Sequence, residues 1–238
     1  MRTIGLIGGM SWESSLEYYR ILNETVRDRL GGLHSAKCVM VSVDFAEIES
    51  LQHAGRWEES GQILAQAAAA LERAGADCVV LCTNTMHKLA GAIRAAIHIP
   101  FLHIADATGQ RVKAAGLSRI GLLGTRFTME EDFYVERLVN GFGLQVLTPA
   151  LNERQQVHDV IYQELCLGIL KPESQASYRA IIAGLAARGA QGIILGCTEI
   201  GLLVKPEDSP LPLFDTTRIH AEAAVEWALA ASLTEDIP

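Results

Sequence analysis

No stretch of this 238-residue chain is apolar for the ~18 consecutive residues that a membrane-spanning helix needs. Runs such as Cys78–Cys82 and Ile193–Leu195 fall far short. Clusters of lysine and arginine are missing as well: 20 basic residues stand against 28 acidic ones, for a formal net charge of −8. A nucleic-acid partner would demand a basic face able to displace counterions. No membrane and no nucleic acid are therefore expected as partners. The start lacks the build of a signal peptide, since the apolar stretch Ile4–Met10 is short and Glu13 follows at once. There is no Walker A sequence, and Gly5-x-x-Gly8-Gly9 is not the dinucleotide fingerprint. Five cysteines, Cys38, Cys78, Cys82, Cys166 and Cys197, are an odd number scattered through apolar segments. They read as free thiols in a reducing compartment, which points to the cytoplasm. Cys78 and Cys82 lie too far apart along one strand to share a zinc ion with His87, so no metal is expected. His87, His98 and His103 read as capping or packing residues, with His87 near enough to the Thr83 loop to line a cleft.

What the chain does contain is alternation. Short apolar runs at Thr3–Gly8, Cys38–Asp44, Cys78–Cys82, Phe101–Ile104, Arg119–Leu123, Gly192–Gly196 and Leu211–Phe214 predict strands. Between them, helices are expected from Ser11 as cap to Leu30, and over Gly61–Arg73, Met86–Ile97, Gln155–Leu167 and Glu173–Arg188. A capping box of Thr128 and Glu131 should open another helix, and a last one should run from about Thr217 to Leu233. Strand–helix alternation of this kind predicts an α/β fold with parallel sheets covered on both faces.

The chain also repeats itself. Ile4-Gly5-Leu6-Ile7-Gly8-Gly9 matches Ile120-Gly121-Leu122-Leu123-Gly124-Thr125, Gly75–Thr85 matches Gly189–Glu199, and Pro100–Leu102 matches Pro212–Phe214. Three matches in one order predict two pseudo-symmetric domains, each a parallel-sheet α/β sandwich. Ligands of open parallel sheets sit off the carboxyl ends of the strands. The matched loops Gly8–Ser11, Thr83–Thr85, Gly124–Thr128 and Cys197–Glu199 all fall there. If the halves face each other, these loops line an active site in the cleft between them, with Thr83 and Cys197 at equivalent positions. Their glycines, hydroxyls and helix starts suit a small carboxylate. Cys197 stands at a strand end beside N–H groups that would lower its pKa and supply thiolate near neutral pH. Cys82, one position earlier than the match to Cys197, is turned toward the sheet packing by the period-two alternation and reads as a core thiol.

At these residues the chain resembles the aspartate/glutamate racemase family, which works without pyridoxal phosphate. The resemblance covers nearly the whole chain. It is carried by Ile4–Ser11, Asn84-Thr85-Met86-His87, Gly124-Thr125 with Thr128-Met129, and Gly196-Cys197-Thr198-Glu199. It implies a homodimer, a small amino-acid substrate and no cofactor. It also implies that the last helix returns to the first domain, so the domains are expected at residues 1–103 plus 216–238 and at 104–215. The implied mechanism is two-base proton transfer at the substrate α-carbon, with Cys197 acting on the L-enantiomer. Met10, Ser11, Glu47, Asn84, Thr85, Thr125, Thr128, Glu164, Thr198 and Glu199 are the implied substrate-binding residues.

Two departures stand out. Where relatives carry the first cysteine, this chain has Thr83, whose hydroxyl yields no meaningful alkoxide at neutral pH; each unit of pKa mismatch costs about 1.4 kcal/mol. Thr83 could donate or relay a proton through water or an acid such as Glu47 or Glu164. Within Ile161–Gly168, relatives often carry a basic residue, and here that place holds Cys166. Two other functions fit the same residues: a cofactor-free decarboxylase or isomerase of small dicarboxylic acids, and a non-catalytic amino-acid-binding protein.

Overall fold

A computed structural model describes residues 1–230. Two four-stranded, wholly parallel sheets organise it. The first contains β1 (Ile4–Gly8), β2 (Cys38–Ser42), β3 (Cys78–Leu81) and β4 (Phe101–Leu102), in the order β2-β1-β3-β4. The second contains β5 (Arg119–Gly124), β6 (Gln145–Leu147), β7 (Ile193–Gly196) and β8 (Leu213–Asp215), in the order β6-β5-β7-β8. The strand orders are the same, and β1/β5, β3/β7 and β4/β8 are the segments whose sequences match. Contacts divide the chain into one unit of Met1–His103 with the chain from His220, and a second of Ile104–Ile219.

The central strands are buried on both faces, which explains why they read as continuous apolar runs rather than alternating ones. In the first unit the two faces separate by the period of two. Ile4, Leu6, Cys78, Val80 and Cys82 pack with Tyr18, Leu22 and Val26 of α1 (Trp12–Leu30) and with Ala221, Ala224, Val225 and Ala228 of α11 (Thr216–Ala230). Ile7, Val79 and Leu81 face the other way, toward Ile48 of α2 (Phe45–His53), Leu64, Ala68 and Leu71 of α3 (Trp57–Arg73) and Ile93 of α4 (Ala90–Ala95). Each such leucine, isoleucine or valine contributes about 1.5–3 kcal/mol when fully buried. The second unit has a single core cluster. Its strands pack with α5 (Ile104–Ala114), α7 (Asp132–Phe142), α8 (Leu151–Gln163) and α9 (Pro172–Ala187).

Several local expectations are revised. Residues past Ser42 leave the sheet, because Asp44 caps α2 by accepting from the Ala46 N–H at 3.0 Å. Ile104 does not extend a strand; it opens α5, whose buried stripe Ile104, Thr108, Val112 repeats every four residues. Strand β6 has only three residues and was not expected. Thr128 does not open a capping box. Thr125 caps the short helix α6 (Arg126–Glu130) by accepting from the Thr128 N–H at 3.3 Å, and Glu131 precedes α7. Met86–Ile97 begins as a 3-10 turn over Thr85–Leu89 before α4. The expected end of the last helix, 231–233, lies outside the described residues.

Candidate active site

The loop after β1 is shaped by Gly9, whose φ of +93° lies in the region open to glycine; a Cβ there would sit 2.2 Å from the Val43 carbonyl oxygen. Ser11 holds the N-cap position of α1, but its side chain makes no capping hydrogen bond. Ser15 braces the loop instead: its hydroxyl accepts from the Gly9 N–H at 2.8 Å and donates to the Ser11 carbonyl at 3.1 Å. Met10 is buried, its side chain in the cluster that includes Ile48 of α2 and Leu64 of α3.

Thr83, Asn84 and Thr85 follow β3 and are all buried. His87 closes this loop, with Nδ1 2.7 Å from the Thr83 carbonyl oxygen, while its backbone N–H donates to Asn84. Cys82 lies in the core on the α1 face, and burial pushes its thiol pKa up. Burial does the same to Cys78, to about 12. Glu47 is exposed on α2, where it lines a depression of about 400 Å³ together with Arg56, Glu59 and Gln62. Glu164 belongs to the other unit.

In the second unit, Gly124 and Gly196 are partners across β5 and β7. A Cβ on Gly124 would lie 2.7 Å from the Gly196 carbonyl oxygen, so the two strand ends approach more closely than larger residues permit. Immediately beyond Gly196 the Cys197 thiol donates to Glu199 Oε2 at 2.9 Å, and the Thr198 hydroxyl donates to the same oxygen at 2.9 Å. Cys197, Thr198 and Glu199 are all buried. Two threonines at the start of α11 brace the turn: Thr216 donates to the Leu195 carbonyl at 2.7 Å and Thr217 to the Thr198 carbonyl at 3.3 Å. Thr125 and Thr128 are buried with their hydroxyl oxygens 3.2 Å apart.

The electrostatics reverse one expectation. The Cys197 thiol is held well above its ordinary pKa, first by burial and then by the negative charge of Glu199 and the nearby Cys166. Helix α10 (Ile200–Leu203) is only four residues long and does not offset this. Glu164 ends α8; its carboxylate accepts from Ser174 at 2.6 Å and from Lys171 at 3.1 Å, which hold its pKa below the usual carboxylate range. Burial, with charges on Cys197, Glu164, Cys166 and Glu199, raises the pKa of Tyr178 well above its ordinary value. These groups form one acidic, thiol-bearing neighbourhood.

The sequence reading missed three features. Glu199 was expected as a substrate contact, not as the partner of the Cys197 thiol, and the i, i+2 spacing at a strand end was the available signal. Ser15 and the Thr216-Thr217 pair also act locally, through hydroxyls whose direction no motif specifies. Among the described residues no cluster of three His, Cys, Asp or Glu could hold a metal ion, and no helix is long and apolar enough to cross a membrane.

The profile of the Asp/Glu/hydantoin racemase family matches residues 7–224. A candidate Asp/Glu racemase from Yersinia pestis is 55% identical and superposes with a TM-score of 0.89, over 96% of this chain and 100% of that one. PH1733, an aspartate racemase homologue from Pyrococcus horikoshii, is 34% identical with a TM-score of 0.82, over 96% and 99%. The broad specificity amino-acid racemase RacX of Bacillus subtilis is 25% identical over 176 residues, 73% of this chain and 74% of that protein. The chain belongs to the Asp/Glu/hydantoin racemase family and is an isomerase of that family.

Proposed function

We propose that the protein racemises aspartate, glutamate or a related small amino acid, and that it does so by moving the α-proton between side chains without pyridoxal phosphate. The observation that carries this reading is the buried hydrogen bond from the Cys197 thiol to Glu199. A thiol in that state is the wrong base, because only the thiolate abstracts a proton. Glu199 supplies the remedy: it takes the Sγ proton as the α-proton is transferred to sulfur. The α-carbanion needs N–H donors and hydroxyls around the substrate carboxylate. Thr85, Thr125, Thr128 and Thr198 are the hydroxyl candidates for that role, and Asn84 is the amide candidate.

Cys197 serves the L face in this reading, and Thr83 completes inversion on the opposite face as donor or relay. The two halves are chemically unequal, but racemisation has an equilibrium constant of one. kcat/KM must therefore be the same from either enantiomer, and inequality emerges elsewhere. Cys197 removes and returns the L α-proton faster than inversion completes, so exchange with solvent outruns racemisation. Homodimerisation and a cytoplasmic location belong to the same reading, supported by the family and by five free thiols.

The test is α-proton exchange followed by NMR in deuterated buffer with L- and D-glutamate and L- and D-aspartate, and with Cys197→Ser as control. Exchange that requires Cys197 and is faster from L is the expected result. Equal exchange from D would overturn the assignment of faces. Silence on all four substrates would overturn the substrate class.

A further inference from the structure

Behind the Thr83 loop, three histidines and a tyrosine pack together out of contact with solvent. His87, His103 and His220 are 2%, 5% and 0% exposed. The His87 ring lies edge-on to His103 with centroids 4.5 Å apart, and edge-on to His220 at 5.8 Å. His220 uses both nitrogens: Nε2 is 3.0 Å from the Leu102 carbonyl oxygen and Nδ1 is 2.8 Å from the Tyr18 hydroxyl. A carbonyl only accepts, so His220 carries a proton on Nε2, and in the neutral ring Nδ1 accepts from Tyr18. The same logic places a proton on His87 Nδ1, which donates to the Thr83 carbonyl at 2.7 Å.

The consequence concerns Thr83. Its backbone N–H already donates to Leu81 at 2.9 Å. With the carbonyl also held, the peptide groups on both sides of the Thr83 Cα are pinned, and the direction of its Cβ follows. We propose that His87 is a positioning residue for the Thr83 half of the reaction: it aims the hydroxyl that completes inversion, and His103, His220 and Tyr18 hold its ring. The inference rests on the reading that Thr83 serves the face opposite Cys197. In this proposal His87 acts on the Thr83 half alone; Cys197 belongs to the other unit.

That separation supplies the test, in which exchange from the L-enantiomer and formation of the D-enantiomer are measured on the same samples. His87→Leu removes the donor. His87→Asn keeps an N–H donor at the position of Nδ1. His87→Leu should lower the ratio of inversion to exchange by about tenfold to a hundredfold, the scale on which a ~1 Å misplacement acts. Exchange from L should stay within about twofold of the unsubstituted protein, since a structural collapse would cost both activities together. His87→Asn should restore the ratio to within about threefold, as one neutral hydrogen bond of similar geometry replaces another. Should His87→Leu fail to fold, His87→Gln takes its place, because it moves the donor one bond outward and should also lose inversion selectively. Equal loss of both activities, an unchanged ratio in the variant without the donor, or no rescue by asparagine would each overturn the proposal. A lack of exchange in the unsubstituted protein would instead sink the parent reading, and it would be visible before any substitution is compared.

Discussion

Cys197 Sγ and Glu199 Oε2 lie 2.9 Å apart in a buried thiol–carboxylate hydrogen bond, and Thr198 adds a second donor to the same oxygen. The carboxylate both keeps the thiol protonated and stands ready to receive its proton. A single residue thus opposes thiolate formation in the resting protein and enables it when substrate presents an α-proton.

Glu199→Gln separates these two effects. Removing the charge eliminates a contribution that raises the Cys197 pKa, so the pH midpoint of iodoacetamide labelling at Cys197 should move down. Exchange from the L-enantiomer should nevertheless fall, by about 100-fold or more, because general-base assistance is lost. Cys197→Ser should lose exchange altogether. Faster exchange in the Glu199→Gln variant would show that the carboxylate only suppresses the thiol.

In the unsubstituted protein the thiol is held above its ordinary range, and Glu199 takes its proton within the site, so exchange does not wait on free thiolate. Exchange from L should change by less than about threefold between pH 6 and 8, whereas the residual exchange of Glu199→Gln, which depends on free thiolate, should rise toward about tenfold per unit. A rise of about tenfold per unit in the unsubstituted protein would show that free thiolate, and not the thiol–carboxylate pair, is the base.

Thr83→Cys replaces a hydroxyl with a group several pKa units more acidic, and each unit corresponds to about 1.4 kcal/mol. Inversion should rise at least tenfold, about the effect of one unit, while exchange from L changes little. Thr83→Ala should exchange L without producing D. Chiral chromatography of the product beside the NMR exchange rate reads both outcomes.

Gly9→Ala should destabilise the first unit by about 3 kcal/mol or more, from positive φ combined with a backbone clash. The φ is +93° and the Val43 carbonyl oxygen would be 2.2 Å from the new Cβ. Gly32→Ala has a positive φ too, but nothing lies within 4 Å of its Cβ, so it should cost less. Urea denaturation of the two variants gives the comparison.

Alkaline pH should destabilise the fold. Cys78, Cys82 and Cys197 all have raised pKa values in the folded protein, chiefly through burial. Their contribution is complete below the unfolded thiol pKa and is lost as pH climbs through the folded one. Each adds a slope of about −1.4 kcal/mol per pH unit once its unfolded form has ionised. Urea midpoints should therefore fall between pH 8 and 10, and Cys78→Ala should flatten that dependence.

The strands on which the site stands were legible because β1, β3, β5 and β7 are buried on both faces and carry continuous apolar runs. Their repetition at β5 and β7 makes the equivalence of Thr83 and Cys197 readable in the sequence, and the pairing of Ile7 with Leu81 and of Leu123 with Leu195 gives the same register. Short elements were not legible. Helices α2 and α5 follow strands with little break in hydropathy, so Val43, Asp44 and Ile104 read as strand continuations, whereas Asp44 caps α2 and Ile104 begins the i, i+4 stripe of α5. Thr128 and Glu131 have the spacing of a capping box, yet the cap is made by Thr125, which has no acid three residues on and is selected by backbone geometry.

The order of residues alone established the α/β class, the doubled architecture, the loops at the strand ends and the family motifs, since periodicity and local spacing are properties of the chain. Packing in three dimensions established the ionisation of Cys197, the turning of Glu199 onto its thiol, the bracing of Gly9 by Ser15 and the histidine cluster behind Thr83. Desolvation and hydrogen-bond direction depend on which atoms surround a group, and those atoms come from elements as distant in the chain as Tyr18 and His220. Spacing in sequence carries the identity of a reacting group; its protonation is set by its neighbours in space.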